Sequence, residues 1–264
     1  MNSENNNTIL KAEQLSIGYK TKKADTIIAS KINFELIKGQ LIGLVGGNGI
    51  GKSTLLRTLI KLQPALSGSV LLNGQPLENI SNLELAKQLS IVLTEPLSSK
   101  NLRVSELVAL GRHPYTNWIG NTTKNDKTII SNAIDLVNIT TLKDKWCYEL
   151  SDGQLQKVML ARALAQDTDI IILDEPTTHL DMYHKAYILK LLQKLTKETG
   201  KTILFSSHEI DLAIQLCDHM IVMTDDKVIY NTPCNLISNG VFDTLFPKDL
   251  IAFDNSTGSF RVNK

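Results

Sequence analysis

The chain has 264 residues, 42% of them hydrophobic, with 28 basic and 27 acidic side chains and a formal net charge of +1. That balance gives no electrostatic footprint for nucleic acid or for bulk adhesion to an anionic membrane, so no nucleic-acid partner is expected. No apolar run approaches the roughly 18–20 residues of a membrane-spanning helix, and three scattered cysteines, Cys147, Cys217 and Cys234, suit a reducing compartment better than a disulfide or zinc framework.

Residues 1–7 are polar and Asn-rich, lack the basic-then-apolar layout of a signal peptide, and are expected to be disordered. From Ile9 to Leu36, apolar positions including Ile17, Tyr19, Ile28, Ile32 and Phe34 predict short antiparallel strands. Leu41 to Val45 reads as a buried strand and Leu55 to Ile60 as a helix. Between them, Gly46-Gly47-Asn48-Gly49-Ile50-Gly51-Lys52-Ser53-Thr54 fits G-x-x-x-x-G-K-[ST], the loop that wraps a nucleotide triphosphate. Gly46, Asn48, Gly49, Gly51 and Thr54 belong to the loop whose backbone N–H groups face the phosphates. Lys52 is expected to reach the β- and γ-phosphates and the Ser53 hydroxyl to hold Mg²⁺.

Ser69 to Gln75 predicts a hairpin turning at Asn73-Gly74. Residues 97–165 show three helical patterns and no strand: Val104 to Leu110, closed by Gly111; Ile129 to Val137; and Leu155 to Leu164. Asn121-Thr122-Thr123 matches a glycosylation acceptor, read as a chance loop sequence in a cytosolic chain. Ile170-Ile171-Ile172-Leu173 is wholly apolar, as a parallel strand buried on both faces must be. A helix from His184 to Lys197, a strand from Thr202 to Phe205, a helix from Ile210 to Leu216 and a strand from Met220 to Met223 follow. This alternation predicts an α/β fold with a parallel sheet. A single domain over 8–264 is expected: an antiparallel β subdomain and the first half of the core at 8–96, an inserted helical subdomain at 97–165, the second half of the core at 166–230, and an extension at 231–264.

Asp174 and Glu175 follow the end of an apolar strand, where open α/β sheets bind ligands. Beside a nucleotide loop, Asp174 is the expected metal-side partner of Ser53, and Glu175 is placed to polarise an attacking water.

Leu150-Ser151-Asp152-Gly153-Gln154 opens a helix containing Lys157 and Arg162. Together with Gly46–Thr54, Ile170–Pro176, Leu180-Asp181 and His208, it resembles the ATP-binding subunits of ABC transporters, with motifs in order over almost the whole chain. The resemblance implies a P-loop (RecA-like) core, ATP hydrolysis, and ATP and Mg²⁺ as cofactors. It makes Glu175 the catalytic carboxylate, His208 the histidine that contacts the γ-phosphate, and Tyr19 the ring that stacks on adenine, although position alone equally suits a strand core residue. Thr178 to Asp181 corresponds to the loop that communicates between nucleotide sites. Each ATP in this family is sandwiched between one subunit's P-loop and the other's signature, here Ser151, Gly153 and Gln154, which implies a second copy of the chain.

Three positions depart from the family. Gly47 stands where proline is usual, and Asp152 replaces a signature glycine, so its carboxylate is expected to point away or cap the following helix. Thr94 aligns with a glutamine that touches Mg²⁺; it is expected to reach the metal shell through water while Glu95 faces the permease groove. The run Val104 to Tyr115, with Gly111-Arg112-His113-Pro114-Tyr115 at its end, looks like importer ATPases for iron–siderophores, haem and cobalamin. That implies a multi-spanning permease, indirectly a substrate-binding protein, and a peripheral place on the cytoplasmic face of the inner membrane. An ATPase of another transporter class and a soluble non-transport ABC ATPase stay open; a small-molecule P-loop kinase leaves the signature and His208 unexplained.

Overall fold

A computed structural model describes residues 7–21, 24–95, 97, 99–116, 122–247 and 249–263. The expected disordered start at 1–6 and the Asn121 acceptor lie outside these residues. Asn7 lies within them, and its carbonyl accepts a hydrogen bond from Lys38 N at 2.9 Å, so the chain is tied down one residue earlier than expected.

Where short strands are expected, β1 (Thr8–Tyr19) and β2 (Thr26–Ile37) are two twelve-residue antiparallel strands. Irregular register at several points lets them bend without ending. Next come β3 (Leu41–Gly46), α1 (Lys52–Leu59), β4 (Ser67–Leu72) and β5 (Gln75–Pro76). The β4–β5 hairpin turns at Asn73-Gly74, both in the left-handed region that a two-residue turn requires. The chain continues through α2 (Asn82–Ala86), β6 (Leu89–Val92), α3 (Val104–Ala109), α4 (Lys124–Leu136), α5 (Asp152–Ala165), β7 (Ile170–Leu173), α6 (Met182–Thr199), β8 (Thr202–Ser206), α7 (Ile210–Leu216), β9 (His219–Met223), β10 (Val228–Asn231), α8 (Pro233–Ser238), β11 (Ile251–Asp254) and β12 (Ser259–Val262).

The central sheet runs β10-β9-β3-β8-β7-β6 and is parallel except for β10 at one edge. Its strands are apolar at successive positions because both faces are covered. Leu41, Val45, Ile171, Leu173, Ile203 and Phe205 join the core on one face, with α5 and α6. Ile42, Leu44, Ile170, Ile172 and Leu204 join the core on the other, with α1 and the second sheet, β2-β1-β4-β5. No helix among the described residues is long and apolar enough to cross a membrane.

Helices α3, α4 and α5 pack on one another between β6 and β7. Gly111 does not close α3 as expected: the backbone runs on as a 3₁₀ turn over Leu110–Tyr115, through Pro114. Gly111 is glycine for another reason. A Cβ there would lie 2.2 Å from the Arg162 carbonyl oxygen, so the turn packs directly on the last turn of α5. The neighbouring Arg112 is buried; its Nε donates to Asp126 Oδ1 at 2.8 Å and its Nη1 to the Ala165 carbonyl at 3.0 Å. Tyr115 covers the guanidinium, 4.0 Å from ring centroid to Cζ. The run that resembles one importer class therefore places its glycine and arginine inside the fold.

Two of the three cysteines, Cys147 and Cys217, are buried, and Cys234 on α8 is exposed. The hairpin β11–β12 carries Phe253 and Phe260, whose rings pack with Phe242 and Phe246 against α7 and α8.

Removing Arg112 leaves the Asp126 carboxylate and the Ala165 carbonyl buried without their cation. Arg112→Ala is expected to lower unfolding free energy by about 3–5 kcal/mol, measured by denaturant titration. Hydrogen bonds from the Thr123 hydroxyl and backbone N–H, then from Arg112, hold Asp126 down at about 2. With the unfolded value near ~4, its contribution is full above that pH and disappears as pH falls toward the folded value.

Candidate active site

Parallel register brings the candidate residues together at the carboxyl ends of adjacent strands. Leu44 of β3 pairs with Ser206 of β8, and Leu173 of β7 pairs with Phe205, so the loops after all three strands leave at one level. The loop after β3 is tightly bent: Gly49 and Gly51 have φ of 73° and 107°, and a Cβ on Gly51 would come within 2.3 Å of Ile28. Gly47 meets nothing within 4 Å of a built Cβ and has no positive φ, so the fold tolerates a larger residue at this departure from the family pattern.

Lys52 begins α1 and is buried under the loop, its ammonium donating to the Gly46 and Gly47 carbonyls at 3.0 Å each. Burial pushes its pKa down, while the Glu175 and Asp174 carboxylates push it up. An ammonium has three donors, so one remains for an anion beyond the loop. Ser53 Oγ donates to Asp174 Oδ1 at 3.3 Å, which joins the two expected metal-side residues into one oxygen-rich corner. Two hard oxygens, one of them on a carboxylate, suit a small divalent cation such as Mg²⁺. Thr54 lies one residue on, and its hydroxyl pairs with Tyr19 Oη at 3.1 Å. Tyr19 is half exposed at the end of β1, so it is not a strand core residue; its ring sits at the rim of the loop.

Glu175 sits in the left-handed region at φ 48°, a conformation that costs a side-chain-bearing residue about 1–2 kcal/mol. Its carboxylate is held at both ends: Oε1 accepts from His208 Nε2 at 2.7 Å and Oε2 from Thr178 Oγ1 at 3.0 Å. His208, just after β8, thus meets the carboxylate directly. The residue that sequence reading missed is Ser206. Its hydroxyl donates to Asp174 Oδ1 at 2.7 Å and accepts from Glu175 N at 2.8 Å, tying together the two acids and the strained backbone between them. A serine directly after the apolar run Ile203-Leu204-Phe205 was the only sign of it in the sequence.

Thr94 Oγ1 donates to the Asp174 carbonyl at 3.0 Å, so its one proton is spent on backbone next to the metal-side acid. Glu95 is exposed and lies 3.4 Å from Arg57 Nη2 on α1. Both line a cleft of about 290 Å³ with Asp152, Met159, Glu175 and His179, between the sheet and α5. Asp152 does not cap α5. Ser151 does, accepting from Gln154 N while Gln154 Oε1 accepts from Ser151 N, and Asp152 occupies the first turn with its charge toward the helix's positive end. Ser151, Gly153 and Gln154 therefore stand together at the N-terminal tip of α5. Asp181 caps α6 by accepting from His184 N at 2.8 Å.

The ABC transporter family model matches residues 29–178. An ABC transporter ATP-binding protein of Methanocaldococcus jannaschii is 38% identical over 255 residues, covering 96% of this chain and 87% of that protein. The iron(3+)-hydroxamate import ATP-binding protein of Bacillus subtilis is 38% identical over 220 residues, covering 83% of this chain and 80% of that protein. Among solved structures, cbiO1 from Clostridium perfringens, part of the ABC transporter complex cbiONQ, is similar with a TM-score of 0.76 and 30% identity over 89% of this chain and 95% of that one.

Because Ser206 holds both acids, Ser206→Ala should leave the Glu175 N–H unpaired and let Asp174 swing. The expected result is a fall in ATP turnover of about tenfold or more, with protein stability reduced by about 1–3 kcal/mol. Steady-state hydrolysis and thermal unfolding measured on the same preparation check both.

Proposed function

As the chain belongs to the ABC transporter family and is an ATP-binding, ATP-hydrolysing subunit of it, we propose that it powers import of an iron–siderophore-type substrate through a membrane permease, working as a pair of copies on the cytoplasmic face of the membrane. The observation that carries the catalytic half is the cluster of Lys52, Ser53, Asp174, Glu175 and His208 at the ends of three neighbouring strands. The cargo class is supported by the hydroxamate-import relative. The buried Gly111 and Arg112 mean that the Val104–Tyr115 run argues for it less directly. A substrate-binding protein belongs to the same proposal, as the component that would deliver the chelate.

In this reading the loop N–H groups and Lys52 hold the β- and γ-phosphates, and Tyr19 lies against the base. Ser53 and Asp174 supply the oxygens for Mg²⁺, which when bound adds positive charge at the phosphate oxygens. Glu175 takes the proton of the attacking water. In the present arrangement each of its oxygens accepts one hydrogen bond, which leaves a lone pair on each for a water, and His208 reaches the γ-phosphate by turning from Oε1. Thr94 acts on this site by holding the Asp174 backbone. Ser151, Gly153 and Gln154 complete the site of the second copy.

Glu175→Gln should retain ATP binding, lower turnover about 10²–10⁴-fold and accumulate as an ATP-bound dimer. A variant that stays monomeric in size-exclusion chromatography at saturating ATP and Mg²⁺ would overturn the composite site. Lys52→Ala should lose ATP binding in calorimetry. For the cargo, ATP-driven uptake of a ferric hydroxamate by vesicles holding the chain and its permease is expected; uptake indifferent to ferric chelates would exclude the class.

A further inference from the structure

The first turn of α6 does more than cap itself. Besides the bond from its backbone N–H, His184 places Nδ1 2.9 Å from both carboxylate oxygens of Asp181. Facing an acceptor-only group, Nδ1 carries a proton in either charge state, so the carboxylate fixes both the tautomer and the plane of the ring. These bonds also hold the Asp181 carboxyl below the usual carboxylate range. The Cδ2 side of the ring lies against α5: a Cβ built on Gly153 would be 3.1 Å from His184 Cδ2 and 3.7 Å from Cγ. Gly153 is the second residue of α5 and is buried, and a side chain there would have to push the imidazole back by a few tenths of an ångström. About one turn further along, Lys157 Nζ sits 4.1 Å over the Tyr187 ring, so the two helices meet along a seam and not at a single point.

We propose that His184 is a positioning residue: held by Asp181, its ring seats the signature end of α5 at a fixed distance from the loop that precedes α6. The inference rests on the composite-site reading. There the free N–H groups in the first turn of α5 and the Thr178–Asp181 loop both serve the nucleotide held by the other copy. At the end of the seam, the imidazole then sets the spacing of the two elements that one subunit presents to its partner. His184 touches neither the P-loop nor Glu175, so it acts on assembly and turnover and not on the binding of ATP to one subunit.

The test compares the full-length chain with His184→Ala, His184→Asn, Gly153→Ala and the double variant His184→Ala/Gly153→Ala. ATP affinity of the monomer, kcat, and ATP-driven dimer formation in a Glu175→Gln background are read together. His184→Ala is expected to keep monomer affinity within about twofold, lower kcat about tenfold, and weaken the ATP-bound dimer. His184→Asn keeps a side-chain N–H toward Asp181 but not the ring on Gly153, and should fall with it; because it keeps a partner for the Asp181 carboxylate, it also serves if the alanine variant folds poorly. Gly153→Ala alone drives a methyl into the ring, so its cost should shrink when His184 is already alanine. An unchanged kcat in either His184 variant, a kcat loss matched by loss of ATP affinity, or additive costs at 153 and 184 would overturn the proposal. If the Glu175→Gln reference with native His184 fails to dimerise, the composite site falls instead, and the kcat and additivity arms decide on His184 alone.

Discussion

The parallel register between β3, β8 and β7 is the constraint on which the site depends. Each strand is buried on both faces, so its apolar residues cannot slide by one position without exchanging two cores. With that register locked, Ser206 stands beside Asp174, and its hydroxyl spans to the backbone of the next residue. The unfavourable φ of Glu175 is accompanied by a hydrogen bond from its N–H to the Ser206 hydroxyl, which offsets part of its cost. Strain at one residue is held by packing distributed over three strands, and the carboxylate meets His208 as a consequence.

The helices between β6 and β7 obey a different logic. They are held by close backbone approach and one buried ion pair as much as by apolar contact. Gly111 against Arg162 and Arg112 against Asp126 fix the 3₁₀ turn onto α5, the helix whose other end carries Ser151 and Gly153. Movement of that turn would be passed along α5 as a rigid body. The run from Val104 to Tyr115 thus combines an internal joint, made by Gly111 and Arg112, with exposed positions at Glu106, Leu110, His113 and Tyr115.

Much of the fold was legible because it is written locally. Ile170–Leu173 has no polar position and can only be a doubly covered strand, and Asn73-Gly74 sets its own turn. The P-loop glycines and Lys52 are contiguous, so their order in the chain is their order in space. What escaped was non-local. Ser206 gains its role only from Asp174 and Glu175, 32 and 31 residues away in sequence and one strand away in the sheet. Gly111 read as a helix stop, since its true neighbour, the Arg162 carbonyl, is far along the chain. Of the two expectations for Asp152, to point away or to cap α5, the cap fails because Ser151 and Gln154 already pair reciprocally there. The hairpin β11–β12 carries too few residues to announce itself by periodicity; it exists where four phenylalanine rings meet beside α7.

The distribution of thiols has a practical consequence. Cys217 is sealed beneath β3 and its ionisation is pushed up by burial, while Cys147 is enclosed among the helices and shifted the same way. Thiolate, not thiol, is the reactive species, so maleimides and similar electrophiles will find Cys234 and pass over the others while the chain is folded. The native sequence therefore accepts one dye or spin label per molecule, on α8, with no cysteine to remove. Distances between two such labels can follow the approach and separation of paired copies through a turnover cycle, and the appearance of a second or third modified thiol will count the molecules that have opened.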